Sequence, residues 1–320
     1  MSTSRIWVLL DNRAGNESQS LGVAEALGEP YDERRVEYSP WALLPNAVLG
    51  ASFLGLKPYS QDQFAEPWPD LVIAAGRRTA PVARMIKKRS GYKSKIVQIM
   101  DPGPAGPAAF DLIAIPRHDV VTRGRNTLLI TGAPHRVTPK RLEKASQAWR
   151  ARFEHLPKPW IALIVGGSTR RRRFSAAMAS ELGSMASAMA HAAGGSLLIT
   201  TSRRTGAAAD RLLADIDVPN FAYRWGDAGE NPYLGYLAEA DSIVVTGDSV
   251  SMCSEACATE KPVYVYAPRP LITAKHARFH QSLYQEGCAR PFSGVMEDWS
   301  HAPLNAANDI AATIRMMMQS

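Results

Sequence analysis

Short apolar runs alternate with amphipathic stretches along the whole chain, and this alternation narrows the fold more than any other feature. The runs at 6–10, 35–38, 71–75, 95–100, 112–115 and 128–131 are too short for helices. Stretches with helical spacing lie between them at 18–27, 79–88 and 139–155. The second half repeats the plan, with strand-like runs at 160–165, 196–201, 221–224, 242–245 and 263–266. Its helical stretches fall at 174–193, 207–214, 233–238, 250–259 and 275–286. Short apolar strands separated by helices are the pattern of parallel sheets built from βαβ units, whose strands are buried on both faces. A length of 320 residues suits two domains of ordinary size. The expectation is an α/β protein with two Rossmann-like doubly wound domains facing a cleft, which places ligands at the carboxyl ends of both sheets. Pro157 and Pro159 stop a helix and stiffen a link, so the division is expected at 155/156, giving domains 1–155 and 156–320. The last helix, 304–318, is apolar at 304, 307, 310, 311, 314 and 317. That single apolar face suits packing back on the first domain.

Composition excludes several classes. Hydrophobic residues make up 46% and charged residues 21%, a globular and not a disordered balance. No run reaches 18 apolar residues, so no membrane-spanning helix is expected. The apolar run at 6–10 is too short for the core of a signal peptide and reads as a first strand. Cys253, Cys257 and Cys288 form no disulfide framework and read as buried thiols, which fits a reducing cytoplasm. Residues 1–155 hold 22 Lys+Arg and 15 Asp+Glu, while residues 156–320 hold 15 of each, so the excess of +7 lies in the first half. A basic half suits an anionic partner such as acidic lipid headgroups or a phosphorylated acceptor. No zinc-finger spacing or RNA-binding aromatic signature is present, so nucleic acid is not expected. The apolar segment 41–56, broken by Pro45, Gly50 and Gly55, is too short to span a bilayer. It reads either as core or as a segment that dips into a membrane interface.

The segment with the most chemistry is TGDSVSMCSE at 246–255, a strand end, a turn and a helix start. Such a turn aims free N–H groups at an anion, and Gly247, Asp248, Ser249 and Ser251 line it. Glu255, one turn further on, is placed to accept hydrogen bonds from a ribose diol. An anion site and a diol acceptor on one segment suggest a nucleoside diphosphate. After the strand at 160–165 comes a second loop, Gly166, Gly167 and Ser168, followed by four arginines, of which Arg170 or Arg171 suits a diphosphate. Arg203 and Arg204 follow the next strand and either add charge to the same crevice or stand in an exposed turn. Asn231 and Tyr233 either contact a base or start a helix after Pro232.

In the first half, the loop Asp11 to Gln19 follows the first strand, with Arg13, Gly15 and Asn16 on the acceptor side. It reads as a ligand cradle or as a capping turn begun by Asn16 or Ser18. It carries neither the dinucleotide fingerprint nor a P-loop. His118 and Asp119 follow the strand at 112–115, and Asp101 follows that at 95–100; each is a candidate general base. Asp215 and Asp217 read as turn residues, and no Cys/His cluster suggests zinc.

These segments are familiar together. Residues 11–27, 110–137 with its Pro116-Arg117-His118-Asp119, Ser202 to Arg204, Asn231 to Tyr233 and 246–255 resemble the mitochondrial-fission "elongated mitochondria" family of plants and many bacteria. The resemblance covers nearly the whole chain. It implies a relative of the GT-B glycosyltransferases, similar in plan to the lipid-linked N-acetylglucosaminyltransferase of peptidoglycan synthesis. By that resemblance, Glu255 is the ribose-binding acid, Gly166 to Ser168 the diphosphate loop, and Gly247 to Ser251 the second anion-binding turn. His280 and Gln281 resemble the loop that closes on the donor sugar. Asn16 stands where the peptidoglycan enzyme has a histidine, which leaves Asp11, Asp101, His118 or Asp119 as the base, one being expected. Plant members are associated with recruiting fission machinery at the mitochondrial surface.

The leading expectation is therefore a metal-independent GT-B glycosyltransferase of the cytoplasm, peripheral to a membrane if its acceptor is lipid-linked. It needs no cofactor, since the nucleotide-diphosphate sugar is its substrate. The first domain would receive the acceptor and the second the nucleotide sugar. The alternatives are a nucleotide-sugar epimerase on the same fold and a non-catalytic membrane-associated adaptor.

Overall fold

The computed structural model describes residues 4–103, 106–119 and 124–319. It divides into two compact units, Met1–Arg136 with Asn305–Ser320, and Val137–Leu304. The first contains β1 (Ile6–Leu10), α1 (Ala14–Leu27), β2 (Asp32–Arg35), α2 (Asn46–Leu49), α3 (Pro58–Gln61), β3 (Leu71–Ala75), α4 (Ala80–Arg89), β4 (Lys95–Ile99), β5 (Leu112–Pro116) and β6 (Thr127–Ile130). The second begins with α5 (Pro139–Phe153), β7 (Trp160–Val165), α6 (Ala176–Ala193), β8 (Ser196–Thr201), α7 (Ala208–Ala214) and β9 (Asn220–Tyr223). It continues with α8 (Tyr233–Glu239), β10 (Ser242–Thr246), α9 (Val250–Ala256), β11 (Val263–Tyr266), α10 (Ala274–Gln285) and β12 (Arg290–Pro291). The chain ends in α11 (Ala306–Gln319), part of the first unit.

Among the described residues each unit holds one six-stranded sheet with all pairs parallel. The orders are β2-β1-β3-β4-β5-β6 and β12-β11-β10-β7-β8-β9. Each sheet is buried on both faces. In the first, Val8, Leu10, Ile73 and Val97 pack with α1 and α11 residues such as Leu21, Val23 and Ile310. Their neighbours Trp7, Leu9, Val72 and Ile96 pack on the other face with Val82 and Ile86 of α4 and with Phe53, Leu56 and Phe64. Successive residues thus point to opposite cores, which is why the strands read as continuous apolar runs. In the second sheet Ala162, Ile164, Ile243 and Val245 face α5, α8 and α10, while Ile161, Leu163, Val165 and Val244 face α6 and α7. Cys253, Cys257 and Cys288 are buried free thiols.

The division differs from the one expected at 155/156, because α5 belongs to the second unit. Its apolar face, Ala145, Trp149 and Phe153, is buried. Trp149 and Phe153 join Trp160, Tyr236 and Leu237 in one core. A Cβ at Gly235 of α8 would lie 2.5 Å from the Trp149 ring, so the two helices meet in close contact there. Pro157 and Pro159 mark the end of a helix and not the edge of a domain. This changes the charge argument too. The first unit holds 18 Lys+Arg against 14 Asp+Glu, and the second 19 against 16, so the excess is shared. The basic first half was an effect of counting the basic helix α5 on the wrong side.

Other differences are local. The expected strand at 35–38 lies three residues earlier, as β2. It is an edge strand of charged residues, with Arg34 lying 4.4 Å over the Trp7 ring, so it carries no apolar alternation to read. The segment 41–56 is split: Ala42, Leu49, Phe53 and Leu56 are buried, while Trp41, Leu43, Val48 and Leu54 are exposed. No helix is long and apolar enough to cross a membrane among the described residues.

Candidate functional site

In the second sheet β7, β8 and β9 run one way from the centre and β10, β11 and β12 the other, so the topological switch lies between β7 and β10. Loops leaving the carboxyl ends of these two strands diverge there and open a crevice, the usual ligand position in such sheets. The loops are Gly166 to Ser168 and Gly247 to Ser249. They are joined to each other and to the loop after β8. Gly166 N–H donates to Thr246 Oγ1 at 2.7 Å, and Gly167 N–H to Asp248 Oδ2 at 3.0 Å. Ser202 and Thr205 hydroxyls donate to the Gly166 carbonyl at 2.5 and 2.6 Å. Ser168 N–H donates to the Arg204 carbonyl at 2.9 Å.

The two glycines serve this joint. A Cβ at Gly166 would lie 2.5 Å from Asp248 Oδ2, and one at Gly167 2.3 Å from the Arg204 carbonyl carbon. Gly167 also has φ +140°, which side-chain-bearing residues rarely adopt. The close approach expected toward a ligand is thus made within the protein. Asp248 has a fully buried side chain and accepts from Arg204 at 2.5 Å. Its Oδ1 meets no donor among the described residues. The Arg204 charge is therefore held by Asp248. The exposed Arg203 stays on the rim, in a pocket of about 410 Å³ lined with Thr201, Ser202, Gly206, Arg224 and Trp225. Arg170 and the three arginines after it are all exposed.

Ser249 caps α9, its hydroxyl accepting the Met252 N–H at 3.4 Å, and Ser251 stands partly exposed in the first turn. Glu255 lies one turn on. Tyr233 O–H donates to Glu255 Oε2 at 2.5 Å, while Asn231 Oδ1 accepts the Tyr233 N–H at 3.0 Å and fixes the start of α8. Burial raises the Glu255 carboxyl above its ordinary value, and the Tyr233 hydrogen bond opposes this. The Tyr233 hydroxyl is pushed up by burial and by the Glu255 charge. Asn231 and Tyr233 also line a pocket of about 550 Å³ with Arg141, Lys144 and Trp149.

His280 and Gln281, which by resemblance belong to the part that closes on the donor sugar, lie in α10, within the helical stretch expected at 275–286. His280 is buried, with Nε2 2.9 Å from the Gly247 carbonyl oxygen, and a Cβ at Gly247 would lie 2.4 Å from its ring. Gln281 is exposed on the same helix. His276, one turn earlier, was not foreseen. It forms a capping box with Thr273. Burial lowers its imidazole below the ordinary value, while Asp248 opposes the shift.

In the first unit the switch lies between β1 and β3. Asp11, at the end of β1, is buried. It accepts from Arg13 N–H at 2.9 Å and from Asn16 Nδ2 at 2.9 Å, and pairs with Arg78 at 3.5 Å. This brings α1 forward to Ala14, with exposed Gly15 in its first turn and Asn16 inside the helix instead of at its cap. Asp101 follows β4, partly exposed, and accepts the Gly103 N–H at 2.9 Å. His118 is buried and Asp119 half-buried just after β5. Residues 120–123 of the 110–137 stretch lie outside the described residues. No three His, Cys, Asp or Glu side chains converge as a metal site among the described residues.

Two Rossmann-like units, each with its loops at the switch point of a parallel sheet, give the chain a GT-B-like fold. The UDP-GlcNAc 2-epimerase of Methanocaldococcus jannaschii is similar with TM-score 0.55 at 12% identity, over 99% of this chain and 100% of that one. Neisseria meningitidis UDP-GlcNAc 2-epimerase bound to UDP-GlcNAc is similar with TM-score 0.52 at 12% identity, over 99% and 100%. Acinetobacter baumannii MurG gives TM-score 0.51 at 13%, over 98% and 92%. The sequence itself is more specific. The family described as "Mitochondrial fission ELM1" matches residues 14–318, and the chain belongs to it. The Arabidopsis thaliana mitochondrial fission protein ELM1 is 33% identical over 301 residues, 84% of this chain and 68% of that protein. The uncharacterized protein RP120 of Rickettsia prowazekii is 30% identical, over 98% of both.

Proposed function

We propose that the second unit binds a nucleoside-diphosphate sugar at the carboxyl edge of its sheet and that the protein transfers the sugar to an acceptor hydroxyl. The observation that carries this is the Glu255 carboxylate, with Oε2 fixed by Tyr233 and Oε1 left as an acceptor without a protein donor among the described residues. A ribose diol supplies the two donors that such a desolvated carboxylate favours. A UDP-GlcNAc 2-epimerase of the same fold is complexed with UDP-GlcNAc and UDP. That agrees with the choice of ligand class.

In the step, the acceptor oxygen bonds to the anomeric carbon while the bond from that carbon to the diphosphate oxygen breaks. The acceptor proton passes to a base, and the electron pair leaves on the diphosphate. Arg203 and exposed arginines from 170–173 counter the leaving charge, without a metal ion or cofactor. Four residues of the first unit are candidates for that base, Asp11, Asp101, His118 and Asp119, of which one is expected; Asp11 is engaged by Arg13, Asn16 and Arg78. A lipid-linked hydroxyl is the acceptor class that suits a unit with exposed apolar side chains.

Titration calorimetry with uridine and guanosine diphosphates tests the site. Glu255→Ala should weaken binding by about 10- to 100-fold, the size of hydrogen bonds to a charged group, with an unchanged melting profile. Equal affinity in the variant would refute it. Incubating the nucleotide sugar alone separates transfer from epimerisation, since only an epimerase yields an isomerised sugar without acceptor.

A further inference from the structure

We infer that His276 holds the outer phosphate of the nucleoside diphosphate, as a neutral imidazole that donates from Nε2. This rests on the nucleotide site proposed above and names one contact within it. The start of α10 fixes the ring. Thr273 and His276 form a capping box. Thr273 Oγ1 accepts the His276 N–H at 3.4 Å, and His276 Nδ1 accepts the Thr273 N–H at 3.3 Å. The second of these bonds is usually made by glutamate or glutamine. A neutral histidine that accepts through Nδ1 carries its proton on Nε2, because the ring then has one acceptor and one donor nitrogen. The box therefore selects the tautomer. It commits the acceptor to the helix end and leaves an N–H donor that meets no acceptor among the described residues.

Helical spacing places that donor. His280 lies four residues on, along the same face of α10. Its Nε2 is 2.9 Å from the Gly247 carbonyl oxygen, and its ring leaves no room for a Cβ at Gly247. α10 is thus seated on the turn that follows β10. Its first turn, which carries His276, lies at the carboxyl edge of the sheet, because α10 follows β11 and all pairs in this sheet are parallel. The charges that act on the ring agree with this position. Burial, the largest influence on the imidazole, lowers it; Asp248 raises it, and Lys275 and Arg204 lower it. Asp248 and Arg204 are the pair that joins the loops after β10 and β8. His276 therefore stands beside the joint at the switch point, and it is half-buried there.

The chemistry of the joint names the partner. Arg204 is held by Asp248, so that pair brings little net charge to a bound anion. What an anion gains there is a donor that Asp248 does not already occupy, and the Nε2–H of His276 is one. A hydrogen bond from such an N–H to a phosphoryl oxygen is charge-assisted, about twice as strong as one between neutral groups. The first turn of α10 also favours negative charge through the helix dipole. In the proposed complex Glu255 takes the ribose. His276, on a helix seated against the Gly247 turn, meets the anionic end of the same ligand, the phosphate that carries the sugar before transfer and the leaving charge after it.

Calorimetry with the diphosphate and the monophosphate of one nucleoside tests it, uridine or guanosine, whichever the wild type binds. The two ligands differ only in the outer phosphate. His276→Glu and His276→Gln both keep the capping box, so both should melt as the wild type does. They differ in that the amide has an N–H to offer and the carboxylate has none. His276→Glu should lower diphosphate affinity at least about tenfold, the size of a lost hydrogen bond to a charged group, and monophosphate affinity by less. His276→Gln should retain most of the diphosphate affinity. Nitrogen NMR of histidine-labelled protein supplies a readout without ligand. The resonances that vanish in His276→Gln should show a bare Nδ1 and a protonated Nε2 at neutral pH. The inference is overturned by a His276→Glu protein that binds the diphosphate as wild type does, by equal losses for the two nucleotides, or by a proton on Nδ1. A wild type that binds no diphosphate of either nucleoside overturns the nucleotide site itself, and this contact with it.

Discussion

Arg203 and Arg204 are adjacent and chemically identical, yet they stand in different environments. Arg204 compensates Asp248, whose side chain has no solvent exposure. Removing it leaves a buried carboxylate with one backbone donor, Gly167 N–H. Breaking a buried pair in this way costs about 3 kcal/mol. Arg204→Ala should therefore shift urea unfolding by about that much, and Arg203→Ala by under about 0.5 kcal/mol. Nucleotide affinity should respond to both. Nothing in the sequence distinguishes the two, because the Arg204–Asp248 pairing spans 44 residues and exists only where two loops cross at the switch point. The placement of Glu255 in α9 and of Tyr233 at the start of α8 was legible for the opposite reason: each sits in a local signal, a turn-to-helix segment and a Pro-initiated helix. Their pairing also yields a pH prediction. In the proposed complex the diol would bind the ionised carboxylate, and burial raises the Glu255 carboxyl above its ordinary 4.5. Affinity should fall as pH drops toward that raised value, since protonation turns an acceptor into a donor. Glu255→Gln should bind weakly and lack this component, which separates it from titration of the phosphate itself.

Helix α8 shows how elements are finished by distant residues. Its last carbonyls, Leu237 and Ala238, accept from Lys261 Nζ at 2.9 and 2.5 Å, a terminal cation that also suits the helix dipole. Burial lowers the Lys261 ammonium from 10.5 to about 8. Between those values the unfolded chain keeps a proton that the folded chain has released. Stability therefore rises with pH across that window, and below about 8 the folded state bears the full cost of the buried charge. Comparing chemical denaturation of wild type and Lys261→Met from pH 8 to pH 10.5 isolates this group. The wild type should gain on the variant as pH rises, and a constant difference would refute the assignment. Elements whose burial is decided by their own residues were readable, such as β7, β8 and β11, each wholly buried. Those decided by a partner were not. β2 is a charged edge strand laid beside β1, and α5 takes its allegiance from Gly235 and Tyr236 of α8.

At the scale of the molecule, the chain leaves its first unit at Arg136, builds the second, and returns at Asn305. The return is made by α11, whose Ala306, Ala307, Ile310, Ala311 and Ile314 are buried. They belong to the same core as Leu21 and Leu27 of α1 and Val8 and Ile73 of the sheet. Arg315 reaches the last carbonyls of α1, donating to Ala26 and Leu27 at 2.6 and 3.2 Å. The first unit therefore depends on residues that follow the whole second unit in sequence, and α11 shares with α1 the cover of one face of its sheet. Ile310 is fully buried at the centre of this contact, and truncating it to Ala should cost about 2–5 kcal/mol. The loss should be confined to one unit. In native-state hydrogen exchange Ile310→Ala should lower protection across β1, β3 and β4 while β7, β8 and β10 keep theirs, because no residue of α11 enters either core of the second sheet. Equal loss in both sheets would mean that the two units unfold as one cooperative body.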